Sequence, residues 1–431
     1  MIRGIRELIA PEDVGLSLPH EHVLHNIGAI IATNSSNVDL EIRFEDLIDY
    51  RHDPFAHGGR NLLMQKEDEA FRELERLQQL KRNKLKPLIV DVTLPGEGRD
   101  VCMKERLQLA ERLKNLHVLT VTTFEIEKIN EKFTVGLSTI EQSERIAKTL
   151  EAELMFGVES GNGVAFPGAI YQLISATSGE LNTKEQVLVQ GLALAQVRTH
   201  APLYLSFSNN AHSDSNEKIR VWIRALLDAG AERKKLVVCH AERWCQEGAQ
   251  YAFLLELVDL GVSILFSSIG LLAVSDVVMT DICLSVSNED QEPRSDSHLA
   301  KWIAHLVKAN PEYCSQLLLS TNVHQRIQYR RYGGGGYTYL FDHFKPRLLC
   351  RGVSEAQWEQ IVRSNVVDLL AWYEPPEAPP IPKNYLQCSI CANYFEPIEG
   401  EYFTKFTFIY CGTKCLRRHS RQKFAPLPLK T

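Results

Sequence analysis

Eight short apolar runs rich in β-branched and aromatic residues recur along the chain, at 15–19, 87–94, 118–123, 168–174, 202–207, 236–239, 262–267 and 316–321. Several of the intervals have helical periodicity, for example 67–84 and 216–229. A strand that is followed by a helix cannot turn straight back, so its next partner lies parallel to it. Eight such units in succession predict an α/β fold, a (β/α)8 TIM-like barrel. A doubly wound open sheet has the same alternation and stays open at this stage. The apolar stretch at 261–274 is shorter than the roughly 20 residues a membrane span needs, and it reads as a buried strand entering a loop.

The alternation stops at Leu369-Leu370-Ala371-Trp372-Tyr373, where Glu374-Pro375-Pro376-Glu377-Ala378-Pro379-Pro380-Ile381-Pro382 begins. Prolines at this density fit neither a helix interior nor a central strand, so the segment reads as a semi-rigid linker. The expected organisation is a barrel at 1–373, a linker at 374–384 and a small module at 385–431. Of the 431 residues, 44% are hydrophobic and 24% charged, which excludes wholesale disorder. The formal charge, 48 − 54 = −6, excludes a uniformly basic nucleic-acid binder. The N-terminal Met1-Ile2-Arg3-Gly4-Ile5-Arg6 lacks the apolar core of a signal peptide, so the expectation is a cytoplasmic or nuclear protein with reduced thiols and no membrane partner.

The first run ends in Leu18-Pro19-His20-Glu21-His22. Residues i and i+2 of a strand share a face, so His20 and His22 can converge on one ion. The C-terminal ends of barrel strands are also where barrel active sites lie. His25 follows closely. Gly15-Leu16-Ser17-Leu18-Pro19-His20-Glu21-His22, Ile89-Val90-Asp91-Val92-Thr93-Leu94-Pro95-Gly96-Glu97-Gly98-Arg99-Asp100, and Leu317-Leu318-Leu319-Ser320-Thr321-Asn322 with Arg330-Arg331-Tyr332-Gly333-Gly334-Gly335-Gly336-Tyr337 occur in that order. Together they resemble the phosphotriesterase family of the amidohydrolase superfamily, and most closely its phosphotriesterase-related branch of metal-dependent ester and amide hydrolases.

That resemblance implies two divalent metals, held by an H-x-H pair, a bridging carbamylated Lys or Glu, two further histidines and an Asp. The pair corresponds to His20 and His22, and the sixth-strand histidine to His240 in Val237-Val238-Cys239-His240-Ala241-Glu242-Arg243. The bridging position falls at Gln172, the fifth-strand histidine at Ser206, and the catalytic Asp at Asn322. Three of six ligand positions are thus replaced, and both anionic ones have become neutral amides. Two dications about 3.5–4 Å apart repel by on the order of 20 kcal/mol at an effective dielectric of about 20. An amide supplies no charge to offset that, nor can it act as the base that deprotonates water. The expectation is a catalytically impaired barrel. A single ion on His20, His22 and the Asn322 carbonyl, with help from Glu21, Glu242, His212 or His324, is the alternative. The Tyr332–Tyr337 glycine run lacks the Lys-Ser/Thr pair of a P-loop and reads as a cap over the barrel.

In the tail, Cys388-Ser389-Ile390-Cys391 precedes Cys411-Gly412-Thr413-Lys414-Cys415 by nineteen intervening residues. Two pairs at this spacing can bring four thiolates to one tetrahedral zinc. The segment resembles treble-clef fingers of the FCS, MYM or TRASH kind. His419 is an alternative ligand or a solvated helix residue. After Glu401 the chain carries Lys405, Lys414, Arg417, Arg418, Arg421, Lys423 and Lys430 and no acid, with aromatics interleaved upstream. The functional expectation is a scaffold or ligand-sensing barrel, with a small-molecule ligand in its pocket and a structural zinc finger that docks a protein partner. A mononuclear hydrolase, and nucleic-acid binding through the finger, are the competing readings.

Overall fold

The computed structural model describes residues 1–27, 41–160, 163–175, 179–208, 215–271, 277–280, 283–286, 295–375, 384–391, 393–421 and 423–424. The chain divides into two compact units, Met1–Glu374 and Pro375–Thr431.

The first unit is built on eight strands: β1 (Val14–Glu21), β2 (Lys86–Asp91), β3 (His117–Thr122), β4 (Pro167–Ser175), β5 (Leu203–Ser208), β6 (Leu236–Val238), β7 (Ser263–Phe266) and β8 (Leu317–Leu319). They pair in parallel and in strict chain order from β1 to β8. Helices α1 (Glu67–Gln78), α2 (Met103–Arg112), α3 (Thr139–Phe156), α4 (Thr183–Thr199), α5 (Ser215–Asp228), α6 (Ala249–Asp259), α7 (Asp296–Ala309) and α8 (Asn365–Leu370) follow the strands in turn. Capping boxes start two of them, Ser138 with Glu141 on α3 and Asn182 with Glu185 on α4. A doubly wound sheet reverses its strand order, and this one does not, so the barrel is the architecture.

Between β8 and β1 the strands are joined by one carboxylate. Glu21 Oε1 accepts from the Ser320 hydroxyl, the Thr321 hydroxyl and the Thr321 N–H, each at 2.7 Å, and Oε2 accepts from Val323 N–H at 2.6 Å. His22 N–H donates across the same seam to Val323 O at 3.2 Å.

Alternation along the strands makes two apolar layers. Leu88, Val90, Val121, Tyr171, Tyr204, Val237, Leu265 and Leu318 fill the lumen, while Ile170, Leu205 and Val238 pack outward against the helices. Ile2, Ile9, Val366 and Leu370 close one end of the lumen. The stretch expected to be helical to residue 84 ends at Gln78, and left-handed Asn83 turns the chain into β2. The 261–274 run forms β7 and then leaves it at Ser267; residues 272–274 lie outside the described part.

The second unit has two antiparallel pairs, β9 (Leu386–Gln387) with β10 (Tyr394–Phe395) and β11 (Phe403–Lys405) with β12 (Phe408–Tyr410), followed by α9 (Thr413–Arg421). His419 is neither a ligand nor solvated. It is fully buried, 3.0 Å from the Tyr410 hydroxyl, with its ring edge-on to Phe408 and Phe424. In a module this small, an imidazole with a polar partner serves as core.

Candidate functional site

His20 and His22 emerge buried at the end of β1. The His20 ring stands 5.1 Å from that of His240, 5.5 Å from Tyr171 and 6.2 Å from His22 (centroid distances). His22 Nδ1 lies 3.0 Å from Thr93 Oγ1, and that hydroxyl donates to Asp91 Oδ1 at 2.6 Å. Since the Thr93 proton is committed to Asp91, His22 donates from Nδ1 and keeps its lone pair on Nε2. Arg106, also buried, anchors the relay from behind by donating to Asp91 Oδ2 at 2.5 Å and to the carbonyls of Arg99 and Leu24.

His240 sits just after β6 in left-handed backbone, φ 59°. Its Nδ1 is 2.7 Å from Ser267 Oγ and 3.5 Å from Glu242 Oε1. Glu242 also accepts from Ser267 N–H at 3.1 Å and from the Ser268 hydroxyl. Burial would raise the Glu242 carboxyl, but its hydrogen bonds to His240 and Ser268 outweigh that and bring it down to about 2.

Asn322 follows β8 in left-handed backbone, φ 47°, and its Oδ1 is buried with no hydrogen-bond partner among the described residues. Ser206 is buried near the end of β5, in register with Leu173 of β4. The register shifts the reading of Gln172. In-register neighbours of a parallel sheet face the same way, and Tyr171 stacks on Tyr204 at 6.2 Å inside the lumen. Leu173 therefore shares the face of Ser206, whereas Gln172 pairs with Leu205 on the outer face and donates from Nε2 to Leu173 O at 3.0 Å. The physical reason is an irregularity between β3 and β4: Thr120 pairs with Pro167 but Val121 with Ala169, one residue further than an even ladder allows.

The substitute groups have other work. Glu21 closes the seam, and burial raises its carboxyl. His25 Nε2 is 2.8 Å from His324 O, and burial lowers this imidazole to about 3. His324 Nδ1 is 2.6 Å from Asn322 O. His212 lies outside the described residues. In the glycine run, the Tyr337 hydroxyl donates to His22 O at 2.7 Å and Tyr332 to Glu69 at 2.6 Å, so the loop buttresses the end of the first strand and α1. Among the described residues, His20, His22 and His240 do not bring three ligand atoms within 4.8 Å of one another, and neither do their carboxylate neighbours.

Sequence reasoning missed the stacked Tyr171 and Tyr204 and the Thr93–Asp91–Arg106 relay. Counting back by two from Ser206 would have found Tyr204. The Tyr204 hydroxyl is buried with no hydrogen-bond partner among the described residues, and burial raises its pKa.

The finger contrasts with this. Cys388, Cys391, Cys411 and Cys415 place all four sulfurs within 4.8 Å of one another. Two of the separations are 3.6 Å (Cys391 to Cys411) and 3.7 Å (Cys411 to Cys415). A tetrahedron with Zn–S bonds of about 2.3 Å has edges of about 3.8 Å, so the sulfurs fit zinc. Burial opposes ionisation of Cys388, yet the N–H groups of Cys391 and Cys411 outweigh it and lower the thiol to about 6.

A model of the phosphotriesterase family matches residues 1–370, and one of the Vms1-associating treble clef domain matches residues 383–427. N-acetyltaurine hydrolase of Rattus norvegicus is 24% identical over 363 residues, which cover 83% of this chain and 94% of that protein. The Homo sapiens N-acetyltaurine hydrolase is 23% identical over 368 residues, 84% and 96% of the two chains. Among solved structures, a resiniferatoxin-binding protein from Rhodobacter sphaeroides superposes with a TM-score of 0.64 at 22% identity, covering 86% of this chain and 94% of that one. A lactonase from Listeria monocytogenes gives 0.59 at 16%, with 86% and 99% covered. Barrel, strand-end histidines and family match agree: the chain belongs to the phosphotriesterase family and carries a C-terminal treble clef.

Proposed function

We propose that the barrel, residues 1–373, no longer performs dinuclear hydrolysis. It takes a small ligand at its strand ends and is joined by the 374–384 linker to a zinc-dependent docking module at 385–431. The observation that carries this reading is chemical: whichever of Tyr171, Gln172 and Leu173 is counted as the bridging position, the end of β4 offers neither a carboxylate nor an amine, and β8 offers the Asn322 amide. Without an anion between them, two adjacent dications have nothing to offset their repulsion. In the finger, the sulfur geometry supports one structural zinc at Cys388, Cys391, Cys411 and Cys415, and a treble clef described as associating supports a protein partner. Reduced thiols at this site suit a cytoplasmic or nuclear setting.

A second reading is favoured by the relay behind His22. It presents the Nε2 lone pair that a single ion on neutral imidazoles would use. The relatives' name makes an N-acyl amide such as N-acetyltaurine the substrate to try. Metal content of the full-length protein, measured beside N-acetyltaurine hydrolysis, separates the readings. The impaired barrel gives one zinc per chain, unchanged in His20→Ala, and no hydrolysis. A second equivalent and a hydrolytic rate, both lost in His20→Ala, would establish the mononuclear hydrolase; a third equivalent would restore the dinuclear one.

A further inference from the structure

We infer that the finger recognises an acidic peptide segment bearing one apolar side chain, through a cationic face formed by α9 and the tip of the β11–β12 hairpin. This deepens the docking reading and rests on it. On α9, Lys414, Arg417, Arg418 and Arg421 stand at i, i+3, i+4 and i+7, all exposed, while buried His419 and half-buried Cys415 and Leu416 occupy the opposite arc. The stripe runs about 10 Å along the helix. Among the described residues none of the four makes an ion pair, although Glu396, Glu399 and Glu401 lie in the same unit, and no acid follows Glu401. Four aligned cations without counter-charges repel one another until an anionic surface covers them. Three are arginines, whose planar forks hold carboxylates bidentately.

The second observation is Phe406, at the hairpin tip. It is 77% exposed and sits at φ 55°, in left-handed backbone that a bulky side chain seldom adopts. Its ring leans on Phe424 at 5.9 Å, and Lys405 Nζ lies 4.1 Å from the Phe424 ring centroid. An apolar anchor is thus held out beside Lys405, next to the C-terminal end of α9, where Phe424 packs on His419. Single-stranded nucleic acid is usually gripped by successive aromatic platforms along a basic groove. Here Phe408 and Tyr410 are committed to the His419 core and Phe424 is half-buried, which leaves Phe406 as the anchor of this face. One anchor among cations matches a peptide of glutamates or aspartates around one leucine-like residue.

Fluorescence anisotropy on the full-length protein tests this with three labelled probes: a glutamate-rich peptide centred on one leucine, the same peptide with glutamine for glutamate, and an oligouridine of equal net charge. The acidic peptide should bind tightest, weaken with added salt, and lose at least about tenfold in affinity when Arg417→Glu and Arg421→Glu are combined. Phe406→Ala should weaken it by a few-fold. Zinc content checks that each variant is folded; if charge reversal loses the metal, Arg417→Gln with Arg421→Gln supplies the reading. Tighter binding of oligouridine, or acidic-peptide affinity unmoved in a zinc-loaded variant, overturns the inference. Equal binding of the glutamine peptide would leave docking standing and remove its acidic chemistry, whereas binding of none of the probes would remove both.

Discussion

The barrel mouth and the finger are both places where histidine or cysteine ligands are expected, and they differ in how the chain assembles them. In the finger, one knuckle and one helix start bring four thiols to a common centre within 28 residues (388 to 415). In the barrel, candidate ligands come from β1, β5, β6 and β8, and their geometry depends on strand register and on a relay of buried groups. A local site is complete or absent as a unit. A dispersed site can change one strand at a time while the scaffold stays intact; here the Thr93–Asp91–Arg106 relay holds His22 from behind.

The largest test of this contrast is to remove one thiol. Cys411→Ala, or chelation, should unfold the finger outright, because apparent zinc-binding free energies of about 10–16 kcal/mol are also its folding energy. Circular dichroism and limited proteolysis should then show the tail lost and the barrel's thermal transition unmoved. Next, Arg106→Met leaves Asp91 a buried anion without its partner, and should lower barrel stability by about 3–5 kcal/mol in urea titrations without changing finger zinc. A smaller effect of opposite sign is expected from Tyr204→Phe. Deleting a buried hydroxyl that has no protein partner should stabilise the barrel by about 1–2 kcal/mol, unless a bound ligand uses that hydroxyl, in which case ligand affinity falls instead. Smallest is Tyr337→Phe, which removes one hydrogen bond to His22 O and should cost about 1 kcal/mol by thermal unfolding.

The eight strands were legible because each is a short apolar run between polar helices, and every run contains or overlaps its observed strand. The cysteine pairs were legible because the site is local. The face of Gln172 was not, since it turns on one irregular step between β3 and β4 that leaves no mark in hydrophobicity. Nor was the antiparallel hairpin of Val277–Thr280 with Cys283–Val286 between β7 and α7, which lies inside what reads as a long connection. Arg106 looks like any helical arginine until the fold places it beside Asp91, fifteen residues earlier in the chain. His419 misled for a related reason: a polar residue next to a ligand cysteine reads as chemistry, whereas a module with few apolar residues uses it as filling.

Glu21 reaches across 299 to 302 positions of sequence to find its donors. A clasp of that span makes ring closure one of the last events the chain can complete, since the first strand waits for residues some three hundred further along. Until the loop after β8 arrives, the first strand carries an anion headed for burial with nothing to receive it. Any fragment stopped short of Ser320 should therefore hold its opening strand loosely, however well the intermediate βα units have formed.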